Sequence, residues 1–204
     1  MKRFAITLLL ALAALAGLSG CNVITGAGST ETTSGVDLRS LGMTQQEIDR
    51  WQNDGIANVA NPTAASILAG FNVRTPTFLP PGLELTSKYM VSSNAPLLEQ
   101  MNSDAPVTFR VTQIWGLPGD ASIVMVLEQS NRPFSHGETA ETALPCGASV
   151  LKGQEPAAAD AGPLSGAFIY HWNRDGVDLD LTGAPVHGLT SVDFDQVVCS
   201  IIKQ

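Results

Sequence analysis

The chain has 204 residues, 44 % of them hydrophobic, and 11 basic against 19 acidic side chains give it a formal charge of −8. That length and apolar share suit one packed domain with an extension rather than two full-sized cores. The acid excess excludes a protein that displaces counterions from nucleic acid with clustered Lys and Arg, and also one drawn to anionic lipid by a polybasic stretch.

The first residues read MKRFAITLLLALAALAGLSGC. Lys2 and Arg3 supply a short positive start, and residues 4–15 form an apolar run. That run is well short of the roughly 20 residues that span a hydrocarbon core, so it reads as a signal and not as a stable transmembrane helix. Leu18-Ser19-Gly20-Cys21 follows, with small side chains that fit a narrow protease site and a thiol that can accept a diacylglyceryl group. This order resembles the lipobox leader of bacterial lipoproteins. The resemblance implies a signal peptide over residues 1–20, cleavage before Cys21, and palmitate-type acylation at Cys21 that anchors the chain to a membrane outside the cytoplasm. An ordinary secretory signal or an uncleaved anchor is the alternative. Two or three acyl chains, at about 0.8 kcal/mol per buried methylene, hold stably where one does not. Cleavage would remove Lys2 and Arg3 and leave a charge of −10. Asn22 is not the Asp that retains enteric lipoproteins at the inner membrane. The expected location is therefore the outer membrane in a two-membrane envelope, and the outer face of the cell membrane otherwise.

Residues 21–37, rich in Gly, Ser and Thr without a periodic apolar face, read as a flexible tether. Residues 38–61 read as an accessory helical segment: Thr44 and Glu47 have capping-box spacing, Ile48 and Trp51 lie three apart, and Asp54-Gly55 stops the helix. A domain over residues 62–204 opens with a short helix in which Asn61 caps, Pro62 takes the first position and Gly70 ends the run.

From Phe71 the period becomes two, and five strands are expected at residues 83–91, 107–115, 121–129, 167–172 and 177–181, with 148–151 a sixth candidate. Val177, Leu179 and Leu181 alternate with Asp178 and Asp180, giving one dry and one wet face. Asp175-Gly176 supplies the turn of an antiparallel hairpin. Gly116-Leu117-Pro118-Gly119-Asp120 joins two further meander strands. A last helix over residues 191–202, capped by Thr190 with Asp193 in its first turn, carries Phe194, Val197, Val198, Ile201 and Ile202 on one stripe. The expected fold is α+β: an antiparallel meander of about five to six strands, short N-terminal helices, and the C-terminal helix packed on one face.

The run AASILAGFNVRTPTFLPPGLEL, with HWNRDGVDLDLTG and the closing VVCSII, resembles an uncharacterised bacterial domain found in extracytoplasmic lipoproteins and on the outer side of some membrane-bound anti-sigma factors. Pro76, Leu79, Pro80 and Gly82 match its P-x-x-L-P-x-G turn, and Trp172, Asp175, Gly176 and Gly183 its closing hairpin. The resemblance spans residues 62–202 and implies a fold and an envelope location. It transfers no catalytic residue, and the segment around Cys146 departs from the pattern.

If Cys21 is lipidated, Cys146 and Cys199 remain, and an even remainder outside the cytoplasm suggests one disulfide, with two unpaired thiols as the alternative. His136, His171 and His187 are scattered and read as surface or edge histidines, so no metal and no cofactor is expected. Asp175, Asp178 and Asp180 lack the calcium-loop string and read as a turn residue and a solvated face. Trp172 reads as a core or sheet-face aromatic. A G-x-S-x-G elbow, a phosphate-cradling loop and a CxxC pair do not occur. These features favour a noncatalytic envelope module that binds or senses an envelope protein or a small apolar ligand held between sheet and helix. The alternative is a hydrolase or other enzyme whose site gathers residues distant in sequence, such as His171 with acidic neighbours.

Overall fold

The computed structural model describes residues 32–33, 36–96, 106–119, 122–135, 137–157 and 162–204. The expected signal peptide over residues 1–20, Cys21, most of the expected tether and His136 lie outside the described residues. Strands β1 (Thr32–Thr33) and β2 (Val36–Asp37) pair antiparallel, and a 3-10 turn at Leu38–Leu41 leads into helix α1 (Gln45–Asp54). Strand β3 (Ile56–Val59) and helix α2 (Pro62–Ala69) follow, then β4 (Glu84–Leu85), β5 (Tyr89–Ser93), β6 (Phe109–Gly116) and β7 (Ile123–Ser130). The chain continues through β8 (Ala140–Ala143), β9 (Ser149–Gln154), β10 (Phe168–Arg174), β11 (Val177–Gly183) and helix α3 (Ser191–Ile202).

The expected α+β class holds, but the sheet is larger than expected. Nine described strands join it in the order β3-β5-β6-β7-β11-β10-β9-β8, with β4 also pairing β6, and every pair is antiparallel. The two strands at its edges account for two of the three additional strands. β3 (IANV) and β8 (AETA) are four residues each and hold Ala, Asn and Glu, which contribute little strand preference of their own. The strand expected over residues 83–91 is two short ones, β4 and β5, both lying against β6.

Segment 38–61 is built into this body. β3 pairs β5, and Leu38, Ile48 and Trp51 are buried together with Ala57, Val59, Ala65, Leu68, Val91 and Val111. A second cluster joins Trp115, Met125, Leu127, Tyr170, Trp172, Leu179 and Leu181 to Phe194, Val197, Val198 and Ile201 of α3. Phe71 and Leu85 pack against both clusters.

Alternation along each strand assigns these residues to one inner sheet face. At the close approach of α3 the fold requires Gly183: a β-carbon there would lie 2.4 Å from the nearest carbon of the Phe194 ring. The hairpin turn is equally specific. Asp175 and Gly176 have φ of 54° and 79°, the two positive angles of a type I′ turn.

Between the two clusters runs a polar seam. Residues 71–79 cross the inner face without regular secondary structure, and the Arg74 peptide meets the amide of Gln129, which accepts from its N–H at 2.8 Å and donates to its carbonyl at 2.8 Å. Gln113 Nε2 donates to the same carbonyl at 2.9 Å. The Arg74 guanidinium pairs with Asp175 at the β10–β11 turn, and Thr77 N–H reaches Ser200 of α3 at 3.2 Å. This strap ties both helix-covered halves to the sheet.

Candidate functional site

Cys146 and Cys199 are bridged, with their α-carbons 5.7 Å apart. The bridge fixes the β8–β9 turn to α3 and closes a loop whose cross-linking stabilises a fold by roughly 4 kcal/mol in the chain-entropy picture. Beside it, Lys152 of β9 pairs with Asp195 at 2.7 Å and sits 5.0 Å from the centre of the Tyr170 ring. Burial, followed by the nearby Asp195 carboxylate, pushes the Tyr170 phenol above its ordinary range, and its hydroxyl donates to the Ser191 carbonyl at 3.0 Å. These residues hold α3 in place.

His171 is not the surface or edge residue expected. It lies on β10 between β9 and β11 and is only 8 % exposed. Asp178 likewise departs from the solvated face, at 7 % exposed. The cause is the segment after β7, which crosses the outer sheet face: Phe134 N–H donates to Asp178 at 3.1 Å, and the Phe134 ring meets the His171 imidazole edge-on with centroids 6.5 Å apart. Asn173 Nδ2 donates to the other Asp178 oxygen at 2.6 Å, while His171 Nε2 lies 3.8 Å from that carboxylate. Asp175 does serve the turn, and adds the contact to Arg74. His187 is exposed at φ 55°, and Trp172 is a core residue.

A shallow cleft of about 290 Å³ gathers His171, Glu141 and Ser149, the grouping nearest to the enzyme alternative. Ser149 donates its hydroxyl to Glu141 at 2.8 Å rather than to an imidazole. The pair is a hydroxyl on a carboxylate and not the hydroxyl–imidazole pair in which a histidine takes the proton of an attacking serine.

The better-formed cleft, of about 430 Å³, lies where β5, β6 and β7 end beside the crossing segment. Ser92, Arg110 and Ser130 form one cross-strand row on the outer face, since Ser92 pairs Arg110 and Arg110 pairs Ser130. Thr108, Arg132, Phe134 and Ser135 complete the wall. Local hydrogen bonds set its shape. Asn94 Oδ1 accepts from Thr108 N–H at 2.9 Å, Asn131 Oδ1 from Phe109 N–H at 2.8 Å, and Ser130 Oγ from Arg132 N–H at 3.0 Å.

The Arg110 guanidinium carbon stands 5.1 Å from the centre of the Phe134 ring, with one nitrogen 3.4 Å from Glu128. The ring face and the carboxylate together orient that guanidinium. The Arg132 guanidinium has no ion-pair partner among the described residues. Sequence reasoning did not single out this cleft. Its one legible signal is the alternation of Arg110 and Thr112 along β6, with Thr108 just before the strand; the rest depends on residues 131–135 folding back across the sheet.

Comparison of the chain with families of known proteins, with characterised proteins and with solved structures finds no match.

Proposed function

We propose that this chain is a lipid-anchored module of the bacterial cell envelope, tethered through Cys21 outside the cytoplasm, that binds its ligand without transforming it. The reading is carried by the leader MKRFAITLLLALAALAGLSGC, in which charge, apolar run and acyl-accepting cysteine fall in the order that export and lipidation require. The Cys146–Cys199 bridge supports an oxidising compartment. Kinship with the uncharacterised domain of lipoproteins and anti-sigma factors belongs to the same proposal, as does placement at the outer membrane where there are two.

For the binding role, the support is the hydroxyl- and arginine-lined cleft at the strand ends. The space between sheet and α3 is filled by Phe194, Val197, Val198 and Ile201 against Leu127, Tyr170 and Leu181, which moves the ligand from the apolar interior to the polar outer face.

Cells fed an alkyne-tagged fatty acid supply the test. The wild-type chain should carry the tag and sediment with membranes, and Cys21→Ala should lose the tag and leave the membrane fraction. An intact Met1 terminus on the native protein, or an untagged wild-type chain in the cytosol, would overturn the anchor.

A further inference from the structure

We propose, on the reading of this chain as a binding module, that the cleft at the ends of β5, β6 and β7 takes a small anion bearing hydroxyl groups, the chemistry of an acidic sugar. Its carboxylate is held by Arg132 and Arg110, and its hydroxyls meet Ser92, Thr108 and Ser135.

The charge of the cleft runs against that of the molecule. Acidic side chains outnumber basic ones 19 to 11 over the chain, yet the described residues lining the cleft include two arginines and no carboxylate. The planar guanidinium presents paired N–H donors that match the two oxygens of a carboxylate, which makes arginine the side chain suited to such a partner.

The two arginines are not equivalent. Arg110 is held against Phe134 and shares its charge with Glu128, so it is oriented in advance but partly neutralised. Arg132 is exposed, its backbone is fixed through Ser130, and its guanidinium keeps no counterion among the described residues. An incoming anion therefore gains most from Arg132 and is aligned by Arg110.

Hydroxyl groups decide between a bare anion and a hydroxylated one. Ser130 Oγ already accepts from Arg132 N–H, and Ser93 Oγ donates to the Ala95 carbonyl. Ser92, Thr108 and Ser135 carry hydroxyls without a partner among the described residues, spread along the wall of the cleft. A volume of about 430 Å³ falls within the roughly 300–1,000 Å³ of small-molecule sites. It accommodates one or two sugar rings and not a polymer groove. Two arginines are too few to release the counterions on which a nucleic acid or an anionic bilayer depends.

Binding is measured by calorimetry on the purified full chain in detergent, with glucuronate, glucose and inorganic phosphate as separate probes. Glucuronate should bind, and glucose, which differs by the missing carboxylate, should bind at least about tenfold more weakly. Phosphate, which lacks the sugar hydroxyls, should also bind more weakly than glucuronate. Arg132→Gln, at an exposed position that leaves the fold intact, should weaken glucuronate by about tenfold, and Arg132→Lys should restore part of the loss.

No heat from glucuronate up to about 10 mM, weaker than any affinity a specific site would show, would sink the proposal. Glucose binding as tightly as glucuronate, phosphate binding as tightly as glucuronate, or an Arg132→Gln variant indistinguishable from wild type would do the same. The fatty-acid tag on Cys21 is read independently, so a failed ligand and a failed anchor remain separable.

Discussion

The two halves of the inner sheet face are built from the same materials but held by different means. On the side of β7, β11, β10 and β9, one long helix lays a single apolar stripe onto four strands and is locked from outside by the Cys146–Cys199 bridge and the Lys152–Asp195 pair. On the side of β3, β5 and β6, two short helices and a 3-10 turn cover the strands, and the links are an edge pairing of four residues and the Lys88–Glu47 contact at 3.0 Å. Helices of 8 to 12 residues bring little stability of their own, so both halves depend on tertiary packing, and the second does so with no covalent bridge among the described residues. What joins the halves is the continuous sheet through β6 and β7, together with the strap of residues 71–79.

The largest expected effect comes from emptying either half of its buried aromatic. Phe194 is fully buried under α3, and Trp51 is 1 % exposed and stacks on Phe109 with centroids 6.3 Å apart. Phe194→Ala and Trp51→Ala should each cost about 3–5 kcal/mol. Denaturant unfolding followed in parallel by far-UV circular dichroism and tryptophan fluorescence also tests whether the halves unfold together. Coincident curves in both variants are expected, because the sheet runs through both clusters. If Trp51→Ala unfolded in two steps, with the second at the wild-type midpoint, the halves would be separate cooperative units.

A smaller effect is expected at the seam, where two buried glutamines differ in what they satisfy. Gln129 is the described partner of the Arg74 N–H, so Gln129→Leu leaves a buried donor unpaired and should cost about 1–3 kcal/mol. Gln113 gives the Arg74 carbonyl a second donor, and its own Oε1 is buried with no partner among the described residues. Gln113→Leu keeps the volume, removes the unpaired acceptor and leaves Gln129 on that carbonyl. Its stability should lie within about 1 kcal/mol of wild type. Equal losses in the two variants would mean that the seam works by packing alone.

The same contrast explains what was legible in the sequence. The side of α3 announces itself locally: Val177-Asp178-Leu179-Asp180-Leu181 alternates, Asp175-Gly176 demands one kind of turn, and Thr190 with Asp193 opens a helix whose stripe has one period. Each signal fits within a few residues and agrees with its neighbours. On the other side, the stripe of Ile48 and Trp51 was readable as a helix face, but nothing local says what that face meets. Ile56-Ala57-Asn58-Val59 becomes a strand because β5 lies beside it. His171 and Asp178 were misplaced for a related reason, since their burial is imposed by Phe134, which arrives from more than thirty residues upstream. The cleft was missed on the same ground: Arg110 and Arg132 become neighbours of one space only after the chain folds back over the sheet.

The finest distinction between the halves lies in the first turns of their helices, where two boxes of the same design are wired differently. Asp193 accepts from the Thr190 hydroxyl and N–H, both at 2.8 Å, and these bonds hold its carboxyl below the usual range. Glu47 accepts from Thr44 N–H at 2.9 Å, the main cause of its lowered pKa, and receives Lys88 as well. A carboxylate whose pKa is lower folded than unfolded contributes stability that is present above the unfolded value and fades as pH falls through the folded one. The stability gap between wild type and Glu47→Gln, and between wild type and Asp193→Asn, should therefore close as pH is taken from about 6 towards about 3. Salt separates the two. Raising ionic strength to about 1 M, where screening acts within about 3 Å, should trim the Glu47 gap by weakening Lys88, and leave the Asp193 gap, which rests on hydrogen bonds within its own turn, nearly unchanged. A gap that stayed constant with pH for both variants would show that the boxes act through shape and not through charge, and would remove this difference between the halves.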